Sequence, residues 1–439
     1  MSVERFQEGP APALRELTPA LERSYRANIR RFYLFRFLMN LQLWFPIWVV
    51  YLKDERGLSL TQVTALDAPY FLVMVLAEVP TGAIADRFGR KVSLAMGAFV
   101  YSIALFAFGM AEGYVLILGS YIAWAVALTL ISGADSAFFF DSLKAVGREG
   151  EFEKLWGRMR SVASAATLLA LLLGAPVAAA TTLWLPVLLG AATMGVAFLI
   201  CLTFREPPRL EEGEAQLSLL KGTREAARIA FEQPALRWII WIGASVSATT
   251  MAVQILAQPF LERHGVSVGN FGWFLVPGSL LGVLASAFAY RITRSLGIER
   301  VVALLTATAL VALVSLGTWD SLGAVAFIPL VAMVMSGTFP VFGSYINHRV
   351  PSSRRATVMS LYSLVISLML AVLEPSLGFI GDRSGLPAAH AAAAVFLAAT
   401  VLPAYFIWAA AHRRERESEP VALAAAAFAA GGEPEEALP

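Results

Sequence analysis

A single cysteine, Cys201, stands in the 439 residues, so no intrachain disulfide can form. Its neighbours are apolar, and it reads as a small apolar residue of a helix. Histidine is nearly as scarce, with four residues and no cluster spaced for a metal ion. Charge is thin: Asp, Glu, Lys and Arg make up 15% of the chain, against about 25% in soluble domains. The sequence also lacks a phosphate-cradling glycine loop, a nucleophile elbow and a His-Glu-x-x-His pair. These absences leave ATP-driven work within this chain unsupported and argue against an enzyme; no cofactor and no metal are expected. The net charge is only +2 and gives no reason to expect a nucleic-acid partner. The first thirty residues are polar and lack an apolar core before a cleavage site, so they are not read as a secretory signal.

What the chain has instead is apolar length. Hydrophobic residues reach 58%, gathered in runs of roughly twenty, the length that spans a bilayer. The runs are continuous rather than alternating, which favours helices over a barrel. The expectation is an all-α membrane protein with twelve transmembrane helices, near 32–52, 64–85, 92–112, 114–140, 160–181, 184–204, 237–260, 269–292, 299–318, 321–346, 356–380 and 387–411. Basic residues support this count. With the N-terminus in the cytoplasm, 29 of the 34 Lys and Arg fall in inside segments. Lys53, Arg56, Arg263 and Arg383 fall outside, and Arg36 lies within the first span. That skew follows the positive-inside rule and puts both termini in the cytoplasm.

Domain boundaries follow. Residues 1–31 form an N-terminal tail and 32–204 a first six-helix bundle. The charged, Pro-Pro-containing segment 205–236 is a linker, and its stretch 219–231 has the makings of an amphipathic helix at the membrane surface. Residues 237–411 form a second six-helix bundle. Residues 412–439 end in a low-complexity tail expected to be disordered.

Residues 82–91, "GAIADRFGRK", place a knot of charge and glycine after the second span. Gly82, Asp86, Arg87, Gly89, Arg90 and Lys91 match at every fixed position the signature loop that it resembles, the one between spans 2 and 3 of the major facilitator superfamily. The resemblance implies a secondary transporter in a bacterial cytoplasmic membrane, which alternates between inward and outward access. It also implies that span 11 is the neighbour of span 2 at Gly82. There Asp86 would sit against the positive start of span 11, worth about 0.3–1 kcal/mol. Arg90 would pair with Asp141 at the end of span 4. The corresponding loop of the second half, 289–300, keeps Arg294, Gly297 and Arg300 but no aspartate.

The same resemblance assigns the central cavity to spans 1, 4, 7 and 10. In span 1, Arg36, Asn40 and Trp44 recur every fourth residue and should share a face. Arg36 is either functional or snorkels to the inner surface. Span 4 offers Trp124 and Asp135, the latter six residues from Asp141 and so on another face. Span 7 carries the stripe Ser247, Thr250, Gln254 and Gln258, whose alternative role is helix–helix hydrogen bonding. Span 10 offers Ser344. For proton coupling the candidates are Asp67, Glu78, Asp135 and Glu374, with Asp67 and Glu78 eleven residues apart on one face. In span 5, Gly174 and Pro176 remain of a glycine-rich exporter motif, while Ala175 replaces its glycine. The cavity looks apolar and aromatic, which suits a drug-like or amphipathic solute. The function expected is proton-coupled export by a monomer, with uptake of a small organic solute, or a non-transporting sensor of the same fold, as alternatives.

Overall fold

Proline marks several helix starts in this chain, and glycine follows the last residue of four of the described helices. The computed structural model describes residues 18–208, 225, 228–351 and 354–429. Eleven helices among them are long and apolar enough to cross a membrane. The first half comprises α1 (Pro19–Asn40), α2 (Leu60–Ala65), α3 (Asp67–Phe88), α4 (Arg90–Met110), α5 (Tyr114–Ser132), α6 (Asp135–Lys144), α7 (Phe152–Ala180) and α8 (Leu185–Leu202). The second half comprises α9 (Pro234–Ile255), α10 (Ala257–Arg263), α11 (Phe271–Leu296), α12 (Ile298–Thr318), α13 (Ile328–Arg349), α14 (Arg355–Ser384) and α15 (Leu386–Ala429). α2 runs into α3, and α5 into α6, as single long spans with a kink.

The two halves pack internally and meet along few elements. α14 lies against α2 and α3, and α11 lies against α7. Glycine makes the second meeting close. A Cβ built on Gly272 would stand 2.1 Å from the Leu171 carbonyl oxygen. That approach places backbone against backbone, which only a missing side chain allows.

The expected first span is interrupted, and it is not among the eleven. α1 stops at Asn40, residues 41–47 turn, and helix resumes at Trp48–Val50 before one wide turn at Tyr51–Glu55. Pro46 explains the break, because it cannot donate and its ring disfavours helix in the residue before it. The Gln42 amide takes over locally, donating to the Met39 carbonyl (2.8 Å) and accepting from the Trp44 indole (2.7 Å). Gly174 makes room for the turn: a Cβ there would lie 1.9 Å from the Leu43 carbonyl oxygen.

The far side of the break is repaired from the other half of the protein. Gln258, on α10, donates to the Phe45 carbonyl (2.9 Å) and accepts from the Val49 N–H (2.9 Å). Those two groups are four residues apart and would bond to each other in an unbroken helix. One side-chain amide is spliced into the missing bond.

Two further expectations concern the linker and the tail. The amphipathic stretch 219–231 lies mostly outside the described residues. The tail does not stop being helical at 411, because α15 runs to Ala429. Its alanine-rich composition explains this, since alanine is the best helix former. Residues 430–439 are outside the described residues.

Gln258→Leu should leave two buried backbone groups unpaired. We expect a loss of about 1–3 kcal/mol for such a group, read as a lower melting temperature in detergent. Gln258→Asn, which is too short to reach both groups, should lose nearly as much.

Candidate functional site

The kinks in the long spans put charged side chains at mid-helix breaks. α5 ends at Ser132, and α6 restarts at Asp135. Asp135 uses one oxygen to accept from the Ser136 N–H (2.6 Å) and the other to accept from Arg36 of α1 (2.9 Å). The two side chains are 19% and 14% exposed. The Arg36 Nε is buried without a partner. Arg36 is therefore paired inside the first half rather than extended to the surface. A buried pair is held together because either charge alone would be costly there.

The remaining cavity candidates divide. Asn40 turns back to donate to the Arg36 carbonyl (2.7 Å). Trp44 does not share the face of Arg36 and Asn40, because α1 ends between them. Its ring is buried against Trp124, with centroids 5.4 Å apart. Trp124 in turn meets Tyr70 and Tyr121, at 5.0 and 5.7 Å. These rings form the aromatic core of the first half, where Trp44 and Trp124 border a void of about 10 Å³ with Phe108, Ser120 and Tyr121.

The α9 stripe also divides. Thr250 is fully buried and bonds back to the Val246 carbonyl (2.8 Å), so it offers nothing to a solute. Ser247 reaches the Tyr362 hydroxyl of α14 (3.2 Å). Gln258 is committed to the splice. Gln254 keeps a buried Oε1 with no partner. Ser344 is exposed and lines a cavity of about 820 Å³ within the second half, with Arg294, His348, Arg349 and Arg416.

Around the knot at 82–91, Gly82 lies against Gly133 at the break between α5 and α6. Gly89 ends α3 with φ +104° and starts α4 directly. Arg90 forms a salt bridge with Asp141, which is buried, and donates to the Ala137 carbonyl (2.9 Å). Arg87 is exposed, its guanidinium 5.4 Å from the Phe88 ring. Asp86 is exposed on the last turn of α3. Residues 352–353, beside its expected seat at the start of α14, lie outside the described residues.

One contact here was missed in the sequence. Glu206, from the segment read as linker, accepts from the backbone N–H groups of Arg90 (2.8 Å) and Lys91 (2.7 Å). A carboxylate on the first donors of a helix is the expected stabilising arrangement.

The acidic candidates other than Asp135 fall in two places. Glu374 of α14 is buried, with its Oε2 unpartnered, and Asp67 at the start of α3 is its charged neighbour. They belong to opposite halves. Glu78 is exposed and borders a 200 Å³ cleft between the halves, with Val75, Phe339, Met359 and Ser363. So Asp67 and Glu78, on one helix, face different surroundings.

The end of the molecule away from the chain termini carries further cross-half contacts. Lys53 pairs with Glu262 of α10 (3.2 Å), and Asp54 is also hydrogen-bonded to Glu262. Asp382 at the end of α14 accepts from the start of α2: from Leu60 N–H (3.0 Å), Thr61 N–H (2.7 Å) and the Thr61 hydroxyl (2.6 Å).

Two helical halves, broken spans with charged side chains at the breaks and a cleft between the halves describe a membrane transporter. A family model described as Major Facilitator Superfamily matches residues 32–374. The chain belongs to the major facilitator superfamily. It is 26% identical over 375 residues to the uncharacterized MFS-type transporter YxaM of Bacillus subtilis (strain 168), a match covering 80% of this chain and 88% of that one. Its fold is similar to that of the solved nucleoside transporter NupG, with a TM-score of 0.72 at 13% identity over 88% of this chain and 98% of that one. It is also similar to a bacterial homolog of the human lysosomal transporter Spinster, solved in an inward-facing, occupied conformation. There the TM-score is 0.68 at 17% identity, over 89% of this chain and 97% of that one. At such identities these likenesses show the superfamily fold and not the solute.

Two tests follow. Arg36→Ala should cost about 3–5 kcal/mol by stranding Asp135, whereas Arg36→Met combined with Asp135→Leu should recover most of that loss; denaturation in detergent reads both. The second test concerns Glu262, whose carboxyl is pushed above its usual 4.5 by burial and by Asp54, with Lys53 opposing. A raised acid stabilises the folded form fully below its unfolded value, and the effect is lost as pH rises through the raised value. The melting temperature of Glu262→Gln should therefore fall less than the parent's as pH rises above about 4.5.

Proposed function

We propose that this transporter exports an amphipathic organic solute in exchange for protons, by alternating access. It would do so as a monomer in a bacterial cytoplasmic membrane. The first, broken span counts as a crossing in this reading, which brings the total to twelve and leaves both ends of the chain in the cytoplasm.

The observation that carries the reading is the carboxyl pair of Asp67 and Glu374, which comes from opposite halves and has one buried oxygen unpartnered. Ionisable groups at such depth are costly and default to a functional role. Two negative charges side by side repel, and a proton taken by either relieves the repulsion. A proton bound there therefore changes how strongly α3 and α14 attract each other, which links protonation to the approach of the halves. The cleft beside Glu78 supports the choice of solute. Its lining is largely apolar with a single carboxylate, a match for a lipophilic body carrying a donor or a positive group.

Uptake of a small organic solute is the second reading. The unpartnered Arg36 Nε favours it, since a donor left buried suits a solute with an acceptor.

Purified protein in proteoliposomes loaded with a pH-sensitive dye, screened against a panel of solutes, tests the proposal. Substrate-dependent proton flux is expected in the parent. Glu374→Gln and Asp67→Asn should each bring that flux to the liposome background while retaining solute exchange. Solute movement in the parent with no proton flux would remove the coupling. Accumulation of solute along an inward proton gradient would reverse the direction.

A further inference from the structure

The stretch at the end of α3 has a second copy at the end of α14. Residues 82–89 read Gly-Ala-Ile-Ala-Asp-Arg-Phe-Gly, and residues 378–385 read Gly-Phe-Ile-Gly-Asp-Arg-Ser-Gly. Five of the eight positions are identical: Gly82 and Gly378, Ile84 and Ile380, Asp86 and Asp382, Arg87 and Arg383, Gly89 and Gly385. The copy is not in the loop at 289–300, where duplication of the halves would put it.

The two stretches also fold alike. Each closes a long helix with a glycine at positive φ, +104° at Gly89 and +89° at Gly385. Each of those glycines donates its N–H to the residue four before it, at 3.1 Å, and the next helix begins at once. α3 and α14 are neighbours, and they run in opposite directions. The end of each helix therefore lies beside the start of the other's span.

At the far end the copy is engaged. The four first donors of the α2 start are all accounted for. Ser59 N–H goes to the Gln62 side chain (3.0 Å), and Gln62 N–H to the Ser59 hydroxyl (3.2 Å). The two between them, on Leu60 and Thr61, go to Asp382. The glycines let the helices touch: a Cβ on Gly378 would stand 2.1 Å from the Thr64 hydroxyl oxygen, and one on Gly381 2.7 Å from a Leu60 methyl.

We propose that residues 378–385 are a second clasp, which holds the far end of the two halves shut, and that Asp382 is its gate residue. It is the counterpart of the 82–89 clasp at the other end of the same helix pair, and the transport cycle engages them in alternation. The copy differs where the first clasp is anchored. Gly89 is followed by Arg90 and Lys91, held by Asp141 and Glu206, whereas Gly385 is followed by Leu386 and Pro387. With no basic anchor, the far clasp depends on Asp382 and on close glycine contact alone. The proposal rests on the alternating-access reading but needs neither the proton nor the solute.

Disulfide cross-linking tests it without transport. Ala179 of α7 and Gly269 face each other across the far end, with a built Cβ on Gly269 3.1 Å from that of Ala179. In a Cys201→Ala background, A179C with G269C reports closure by its rate of cross-linking in native membranes. Asp382→Ala should slow that rate about tenfold, the scale of losing hydrogen bonds to a charged acceptor. Asp382→Glu should restore part of it. Gly378→Val, which keeps the aspartate but forces the helices apart, should slow it as well. Asp86→Asn should leave the rate equal or faster, and adding it to Asp382→Ala should recover part of the loss. An unchanged rate in Asp382→Ala and in Gly378→Val, with the protein still monodisperse, overturns the proposal. So does equal slowing by Asp86→Asn. Because no gradient or solute enters the assay, absence of proton flux elsewhere does not decide it.

Discussion

A chain that breaks a helix inside an apolar slab must find new partners for the freed backbone groups, since no water is there to take them. In this transporter the break is in the first span, and the partner is Gln258, reaching across from the second half into the gap between Phe45 and Val49. Much else follows from that splice. Gly174 must lack a side chain so that the turn at Leu43 can pass. The first span can hold Arg36 in one direction and Trp44 in another, because its two pieces need not share a face. The halves are tied at a place where the first span could not be complete alone.

Carboxylates do the corresponding work at helix starts. Glu206 caps α4 and Asp382 caps α2, each meeting two backbone donors left over by helix geometry. Both lie near the ends of spans rather than at mid-membrane, where the charge can stay partly hydrated. Arg36 and Asp135 are the exception, deeper and dependent on each other. Such contacts are strong enough to bias two arrangements and weak enough to be exchanged, as a cycling transporter needs.

Much of this could be read from the residues. The apolar runs gave eleven of the expected helices, because their length and continuity need no tertiary information. The motif at 82–91 led to the superfamily, since its six positions act within one local turn. The face shared by Arg36, Asn40 and Trp44 was misread for a physical reason. Periodicity assumes an unbroken helix, and Pro46 ends that assumption a few residues late, through its effect on the turn before it. Thr250 and Gln258 fit a polar stripe by spacing, but spacing does not tell a residue that satisfies itself from one that crosses to another helix. Glu206 was hidden among linker charges, because capping depends on where the chain returns in space. The repeat at 378–385 was legible all along. It does not lie where duplication of the halves would put it, at 289–300, but on the helix that runs the opposite way.

The length of α15 has a mechanical consequence. Helix continues from Leu386 to Ala429, a rod of about 66 Å at 1.5 Å per residue, roughly twice the thickness of the hydrocarbon layer. A rod rooted in one bundle turns a small tilt of that bundle into a lateral sweep at its tip. With a lever arm of about 44 Å from mid-membrane, ten degrees of rocking would displace Ala429 by about 8 Å. Any rocking of the second half would thus be magnified at the end of this helix, outside the membrane.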